Sequence, residues 1–502
     1  MKIEVIHADR NQLEKAYKSV MGPHFRLLTM VASDEKELGI DRFKLRYFFA
    51  VGDNRVLVLE TVVPEEDPSF SSLAELLPAA AWYEREAYDL FGTRPVGHPD
   101  LRSLILHDDF PEGVYPLRKD FPLDQIEPRS GNGVFSYPRV EGEGVFEIPV
   151  GPIHAGVIEP GHFRFQVMGD TIFHLEARLF YTHRGMEKRS EGMDVMEGSL
   201  LAEQLCGVCS VSHALSYAQA VEQIAGLTIP ERALYIRSLL AEMERLYNHV
   251  GDIGNICAGI GFAFGSNHGA RLKETLMQLN ARIFNHRYLR GMIIPGGVLR
   301  DLTSEQLNEI SRISLDVAFK IQQIIHDILE NNIALDRYRK TGILKEDIAE
   351  QFAVVGPAAR ASNIDMDARK DFPHAAYQEL QFEVPVLEDG DVLARFLIRA
   401  VESTQSAKLI RQIIEKIPKG DIRIPLGELP AYQYGIGITE SPRGENVHFV
   451  MTGLNNTIYR YRVRSASYAN WPAVPTAVPG NIVPDFPLIN KSFELCYSCC
   501  DR

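Results

Sequence analysis

The sequence predicts an α+β chain: a small N-terminal α/β module, then a mainly α-helical domain that opens with a short β meander. Three observations carry this. At 502 residues, and roughly 150 residues per domain, the chain needs two to four domains. The apolar period changes from two to 3.6 along the chain. A Pro-, Gly-, Ser- and charge-rich stretch, Pro122 to Gly144, separates the two regimes. The divisions are the module at 1–125, a linker at 126–144 and the main domain at 145–502.

In the module, Arg46-Tyr47-Phe48-Phe49-Ala50-Val51 and Val56-Leu57-Val58-Leu59 are apolar, β-branched and aromatic runs that predict strands. Leu73 to Phe91 has helical spacing after Ser71-Ser72, and Gly92 and Pro95 end it. From Phe146 to His183 the pattern alternates around two turns, Glu159-Pro160-Gly161 and Met168-Gly169-Asp170. Helical periodicity then runs through Ser199–Ile224, Pro230–Asp252, Gly269–Tyr288, Ser304–Asn332 and Val392–Ile417. Residues 420–502 are rich in Pro and Gly and read as irregular.

Composition excludes several classes. Lys+Arg 53 against Asp+Glu 67 gives a net charge of -14, which argues against a nucleic-acid-binding surface. Met1 to Arg10 carries charge where a secretory signal would be apolar. No run reaches the ~18 apolar residues of a membrane span. The expectation is a cytoplasmic chain that sits on a membrane complex through partners. Six cysteines are too few for a disulfide framework in a chain of this length.

The cysteines are informative by position. Cys206 and Cys209 form one C-x-x-C, Cys496 and Cys499 a second, with Cys500 beside it and Cys257 apart. The spacing lets two thiolates face one centre. Structural zinc sites place such pairs roughly 15–20 residues apart, whereas these lie nearly three hundred residues apart. Spacing alone leaves three readings open: structural zinc, unrelated or redox thiols, and a catalytic thiolate–metal centre.

The flanks go further. Glu203-Gln204-Leu205-Cys206-Gly207-Val208-Cys209 and Cys496-Tyr497-Ser498-Cys499-Cys500-Asp501-Arg502 resemble the paired motifs of nickel–iron hydrogenase large subunits. Gly151 to Gly156, Ile158 to Arg164, His183 to Lys188, Gly356 to Ser362 and Glu440 to Glu445 resemble further loops of that family, in its order. Trp82 to Gly92 and Tyr115 to Phe121 resemble the 30-kDa-type subunit of respiratory complex I. The combination resembles membrane-associated hydrogenases of the formate hydrogenlyase and hydrogenase-4 type, whose main domain is related to the complex I 49-kDa subunit. Two positions depart from the pattern: Gln204 stands where the family has Arg, and Glu494-Leu495 where it has Asp-Pro.

The resemblance implies reversible H2 cleavage at a nickel–iron centre whose iron carries CO and CN. Cys206 and Cys496 would bind nickel alone, and Cys209 and Cys499 would bridge nickel and iron. Glu159 would carry protons and Arg443 would hang over the metal face. Glu187 marks a second site for magnesium or iron, which the family often completes with a terminal His; here the residue is Arg502, which makes an Arg502–carboxylate pair the alternative. Iron–sulfur clusters would lie on a partner, since no further cysteine set exists here. The implied partners are a complex I 20-kDa-like iron–sulfur subunit, ferredoxin-like subunits and membrane-embedded subunits, with no nucleic acid. The family's protease cuts just after a His or Arg at the position of Arg502, so Arg502 is expected inside the body, near the start of the Cys206–Cys209 segment. The module is expected to dock onto other subunits and take no part in chemistry. Cys257 reads as core and Cys500 as a bystander. The competing function is a metal-free complex I-like subunit that helps shape a quinone site.

Overall fold

The apolar runs of the module form strands, as predicted. Phe43–Ala50 and Arg55–Val63 are antiparallel neighbours. Lys2–His7 joins parallel to Arg55–Val63, and Arg26–Asp34 joins antiparallel to Phe43–Ala50 as the edge strand. This computed structural model describes residues 1–22, 25–107, 110–122, 135–155 and 158–502. The predicted linker therefore falls partly outside the described residues, at 126–134, as does Gly156. Residues 135–142 have neither helix nor strand.

The predicted helix Leu73–Phe91 is shorter. Regular α-helix spans Ala81–Phe91, preceded by a 3₁₀ turn at Pro78–Ala80. Pro78 has no N–H to continue a helix from upstream, so the helix starts beyond it. Gly92 ends it at φ 77°, the left-handed C-cap that glycine favours.

The meander is three antiparallel strands, Val145–Val150, His162–Met168 and Thr171–Arg178. A bundle follows. Its central helix, Glu231–Ala258, packs on Ala263–Phe284 and Val392–Lys416, with Ser304–Leu329 beyond them. The predicted helix Ser199–Ile224 is two helices, Val195–Glu203 and Ser210–Ala225, and the first cysteine pair occupies the break.

Residues 420–502 are not irregular. They hold an antiparallel sheet of Tyr434–Ser441, Gly444–Thr452 and Ile458–Arg464, then the short helices Ala466–Asn470, Phe486–Phe493 and Tyr497–Asp501. All seven residues of Ile458–Arg464 are buried, although they alternate apolar and Arg in the manner of a half-exposed strand. The alternation misleads because the arginines face the module. Arg460, Arg462 and Arg464 donate from Nε to the carbonyls of Ala32, Met30 and Leu28 on the module's edge strand, at 2.9, 3.2 and 2.6 Å. Guanidinium groups thus cover the edge that another strand would otherwise take. Beside this ladder, Leu28, Val31, Phe48 and Val58 of the module share one core with Ile436, Ile438, Val447 and Phe449.

The other edge of the C-terminal sheet meets helix Ser210–Ala225. The carboxamide oxygens of Gln219 and Gln223 accept from the backbone N–H of Ile438 and Ile436 at 3.1 and 2.7 Å. Gly435 and Gly437 permit the approach: a Cβ at Gly437 would overlap the carbonyl oxygen of Ser216, and one at Gly435 that of Ala220. Gly437→Ala is expected to cost about 3 kcal/mol or more by overpacking. Thermal denaturation should show a clear fall in midpoint, with no change in Gly427→Ala, where a Cβ meets open space.

Candidate metal centre

Cys209 is the N-cap of helix Ser210–Ala225. The helix restarts there because Glu244, on the central helix, accepts the N–H groups of Val211 and Ser212 at 2.7 and 3.0 Å. Cys496 plays the matching part at Tyr497–Asp501, accepting the N–H of Cys499 at 3.4 Å.

The two pairs converge. Cys206 Sγ lies 3.4 Å from Cys496 Sγ, and Cys209 Sγ 3.8 Å from Cys499 Sγ. The sulfurs of Cys206, Cys209 and Cys499 all lie within 4.8 Å of one another. Hydrogen bonds from Cys209 and Cys496 hold the Cys206 thiol well below its ordinary range. Cys209 and Cys496 are driven up, first by their bonds to Cys206, and Cys499 is driven up by burial. A soft divalent ion would displace the protons that these thiols hold between them. Four convergent soft donors fit nickel and iron, and also zinc, better than magnesium or calcium.

Arg443 stands at the two-residue tip of the hairpin between Tyr434–Ser441 and Gly444–Thr452. It is buried. It donates to Asn248 Oδ1 at 2.6 Å and to the Glu494 carbonyl at 3.0 Å, and it pairs with Asp252 at 3.3 Å. Burial opposes its charge, but Asp252 and Glu494 raise its pKa. Burial and the proximity of Asp252 push the Glu494 carboxyl up to about 7. The departure at Glu494 thus places a carboxyl beside Arg443, 3.9 Å from its guanidinium.

Glu159 accepts the N–H of Ser498 at 2.8 Å and also the Ser498 hydroxyl. It therefore lies against the segment between Cys496 and Cys499, where it also performs a plain structural task. Arg184 ties the two cysteine segments together, donating to the carbonyls of Gln204, Leu205 and Ser498 at 3.1, 2.8 and 3.0 Å. Its backbone N–H donates to the Arg502 carbonyl at 2.7 Å. Arg502 is buried, as expected.

Glu187 does not fit a cation. Its Oε1 accepts from Arg462 and Arg502 at 3.0 and 2.8 Å, and its Oε2 from Arg460 at 2.8 Å. The arginine pairing takes the place of the second metal. Cys257 is core, with Tyr338 Oη 3.5 Å from its sulfur, and Cys500 is buried beside the site.

Sequence reading missed a buried chain of polar rings. His213 Nε2 lies 3.0 Å from Cys499 Sγ, His213 Nδ1 2.8 Å from His448 Nε2, and His448 Nδ1 2.8 Å from the Tyr461 hydroxyl. Burial pushes His213 down to about 4 and His448 well below its ordinary value, so both are neutral at pH 7. With a thiolate at Cys499 one orientation satisfies every atom: Tyr461 donates to His448, His448 to His213, and His213 to the sulfur. The spacing of His213 from Cys209, four residues along one helix, was the available signal. Nothing in the sequence pointed to His448 or Tyr461.

The fold thus brings four thiols from two distant segments to one place, a donor set of the kind that soft redox metals take. The model for the nickel-dependent hydrogenase family matches residues 184–252. The models for the 30 Kd and 49 Kd subunits of respiratory-chain NADH dehydrogenase match 6–127, and 260–434 with 427–502. The chain is 34% identical over 482 residues to formate hydrogenlyase subunit 5 of Escherichia coli (strain K12), covering 95% of this chain and 84% of that protein. It is 35% identical over 450 residues to hydrogenase-4 component G of the same organism, covering 89% and 78%. Among solved structures, a chain of the membrane-bound sulfane sulfur reductase, an archaeal respiratory membrane complex, superposes with TM-score 0.68 at 27% identity, covering 73% of this chain and all of that one. This chain belongs to the family of nickel–iron hydrogenase large subunits of the membrane-associated, complex I-related class.

Asp252 compensates both Arg443 and Arg399, the latter at 3.4 Å. Asp252→Ala leaves two buried guanidiniums short of an anion, at an expected cost of about 3–5 kcal/mol. A thermal midpoint equal to wild type would contradict this account of the site.

Proposed function

We propose that Cys206, Cys209, Cys496 and Cys499 hold the nickel–iron centre of this hydrogenase large subunit. In this reading Cys206, Cys209, Cys496 and Cys499 would all bind as thiolates, and CO and CN would complete the iron. The single observation that carries it is the convergence of four sulfurs from segments 290 residues apart. When bound, the metal pair supplies the Lewis acidity and redox capacity for reversible cleavage of H2 into two protons and two electrons.

The chain's own residues shape that chemistry. Arg443 keeps a fixed cation beside the thiols, its position set by Asn248, Asp252 and the Glu494 carbonyl. Glu159 takes and returns protons at its carboxylate, next to Ser498. The N–H of His213 holds the Cys499 sulfur in place. The thiols of Cys206, Cys209 and Cys499 are themselves buried, with Val208 packed against them.

Electrons leave through a partner. Beyond the four site cysteines, the chain has Cys257 and Cys500, which do not make a cluster set. The proposed partners are an iron–sulfur subunit of the complex I 20-kDa type, ferredoxin-like subunits and membrane-embedded subunits. No described helix is long and apolar enough to cross a membrane, so the proposed attachment, at the inner face of the cell membrane, is through those partners. The metal-free complex I-like reading rests on the two NADH dehydrogenase matches, but it gives four converging thiols no task.

Metal analysis of the purified complex tests the reading. Nickel with iron is expected; zinc, or no metal, overturns it. Cys499→Ala should abolish nickel retention and hydrogen turnover, whereas Cys257→Ala should keep both. Glu159→Gln keeps shape and most hydrogen bonds. It should remain folded and nickel-loaded while turnover falls by about 10²–10⁴; wild-type rates would return Glu159 to a structural role.

A further inference from the structure

The N-terminal module reaches the metal-closing segment. We propose that Glu86, on the module's helix Ala81–Phe91, is a positioning residue for the thiol centre: through Arg502 it holds segment 494–502 closed over the site. The nickel part of this inference rests on the function proposed above.

Helix Tyr497–Asp501 has five residues, too few to be stable without tertiary support. Besides Arg184 and Arg443, which donate to the carbonyls of Ser498, Arg502 and Glu494, four contacts bear on how the segment closes. Glu159 accepts from Ser498. Ser465 donates to the Cys499 carbonyl at 2.8 Å. Asp501 accepts the N–H groups of Phe180 and Thr182, both at 3.0 Å. The fourth is Arg502, whose guanidinium donates to Glu187 at 2.8 Å, to Glu86 at 2.9 Å and to the Val463 carbonyl at 2.9 Å. It also lies over the ring of Tyr468, 4.7 Å from its centroid.

Glu86 is the anchor that comes from the module, 416 residues away in sequence. Its two oxygens also accept from Arg462 at 2.5 and 3.1 Å. Three guanidiniums, those of Arg460, Arg462 and Arg502, thus share two carboxylates, Glu86 and Glu187. All five side chains are buried. Neutralising Glu86 leaves three buried cations on one carboxylate, and such a group relaxes by expelling a cation. Arg460 and Arg462 belong to a sheet and also donate to the module's strand carbonyls. Arg502 sits at the end of a five-residue helix, so it is the one that gives way. Cys496 and Cys499 travel with it.

The test uses full-length protein in its complex. Glu86→Gln keeps the side chain's size and removes its charge. Glu60→Gln is the comparison: Glu60 is a buried acid of the same module that pairs with Arg46 at 2.8 Å inside the module. It loosens the module without touching the segment. Hydrogen–deuterium exchange of a peptide covering 494–502, and nickel retained against a chelator, are measured in both, with Glu86→Asp as a milder variant. Glu86→Gln is expected to raise exchange in 494–502 by about tenfold or more, as loss of charge-assisted hydrogen bonds implies, and to speed nickel loss. Glu60→Gln should leave that peptide protected, and Glu86→Asp should fall between. Unchanged exchange in Glu86→Gln, or equal exposure in Glu60→Gln, overturns the proposal. If the wild-type complex holds no nickel, the proposed function fails, while the exchange arm still decides the role of Glu86.

Discussion

Everything in this molecule depends on bringing residues 206–209 and 496–499 to one place. Neither pair offers more than two thiolates, so a four-sulfur site exists only once the chain between them is folded. One face of the central helix Glu231–Ala258 organises the meeting. Glu244, Asn248 and Asp252 stand four residues apart, on one side of the helix. Glu244 restarts the helix after Cys209, Asn248 takes both the Val208 carbonyl and Arg443, and Asp252 fixes the Arg443 charge. Two loops that are distant in sequence are therefore read against a single rigid ruler, to which Arg443 links the carbonyl of Glu494.

Buried charge is the means by which distant segments are fastened. Ion pairs lose solvation when buried, so they add little net stability, but leaving one partner alone is severe. This asymmetry makes them effective for fixing a unique arrangement of loops. Around Glu187 the same logic replaces a hard cation with guanidiniums. Along Ile458–Arg464 it lets a strand join the module without extending the module's sheet. The module and the main domain consequently share a core and an ion cluster, so a sequence division near residue 125 does not mark a physical separation.

Much was legible in the residues. The strands of the module, the meander and four of the long helices follow from their apolar runs and period. The four thiols stood out because C-x-x-C is rare and has few uses. Where the reading failed, at 434–464, Gly and Arg interrupt the apolar pattern. Residues 434–464 form a sheet with no solvent face, and their Gly and Arg positions serve close backbone approach and side-chain capping. The break at 204–209 inside an apparent helix was hidden because the carboxylate that restarts the helix, Glu244, lies on another helix.

The sequence by itself singled out the four thiols, Cys206, Cys209, Cys496 and Cys499, the helical body around them, and the Pro-Arg-Gly hairpin tip, because each is a local pattern of residue type and spacing. Only the tertiary structure decided which groups meet: His213 with His448 and Cys499, Glu187 with three arginines, Arg502 with Glu86. Those partners lie between 235 and 416 residues apart, a separation at which no period or spacing survives. What selects them is the low-dielectric interior, where every polar group must find a partner supplied by the fold.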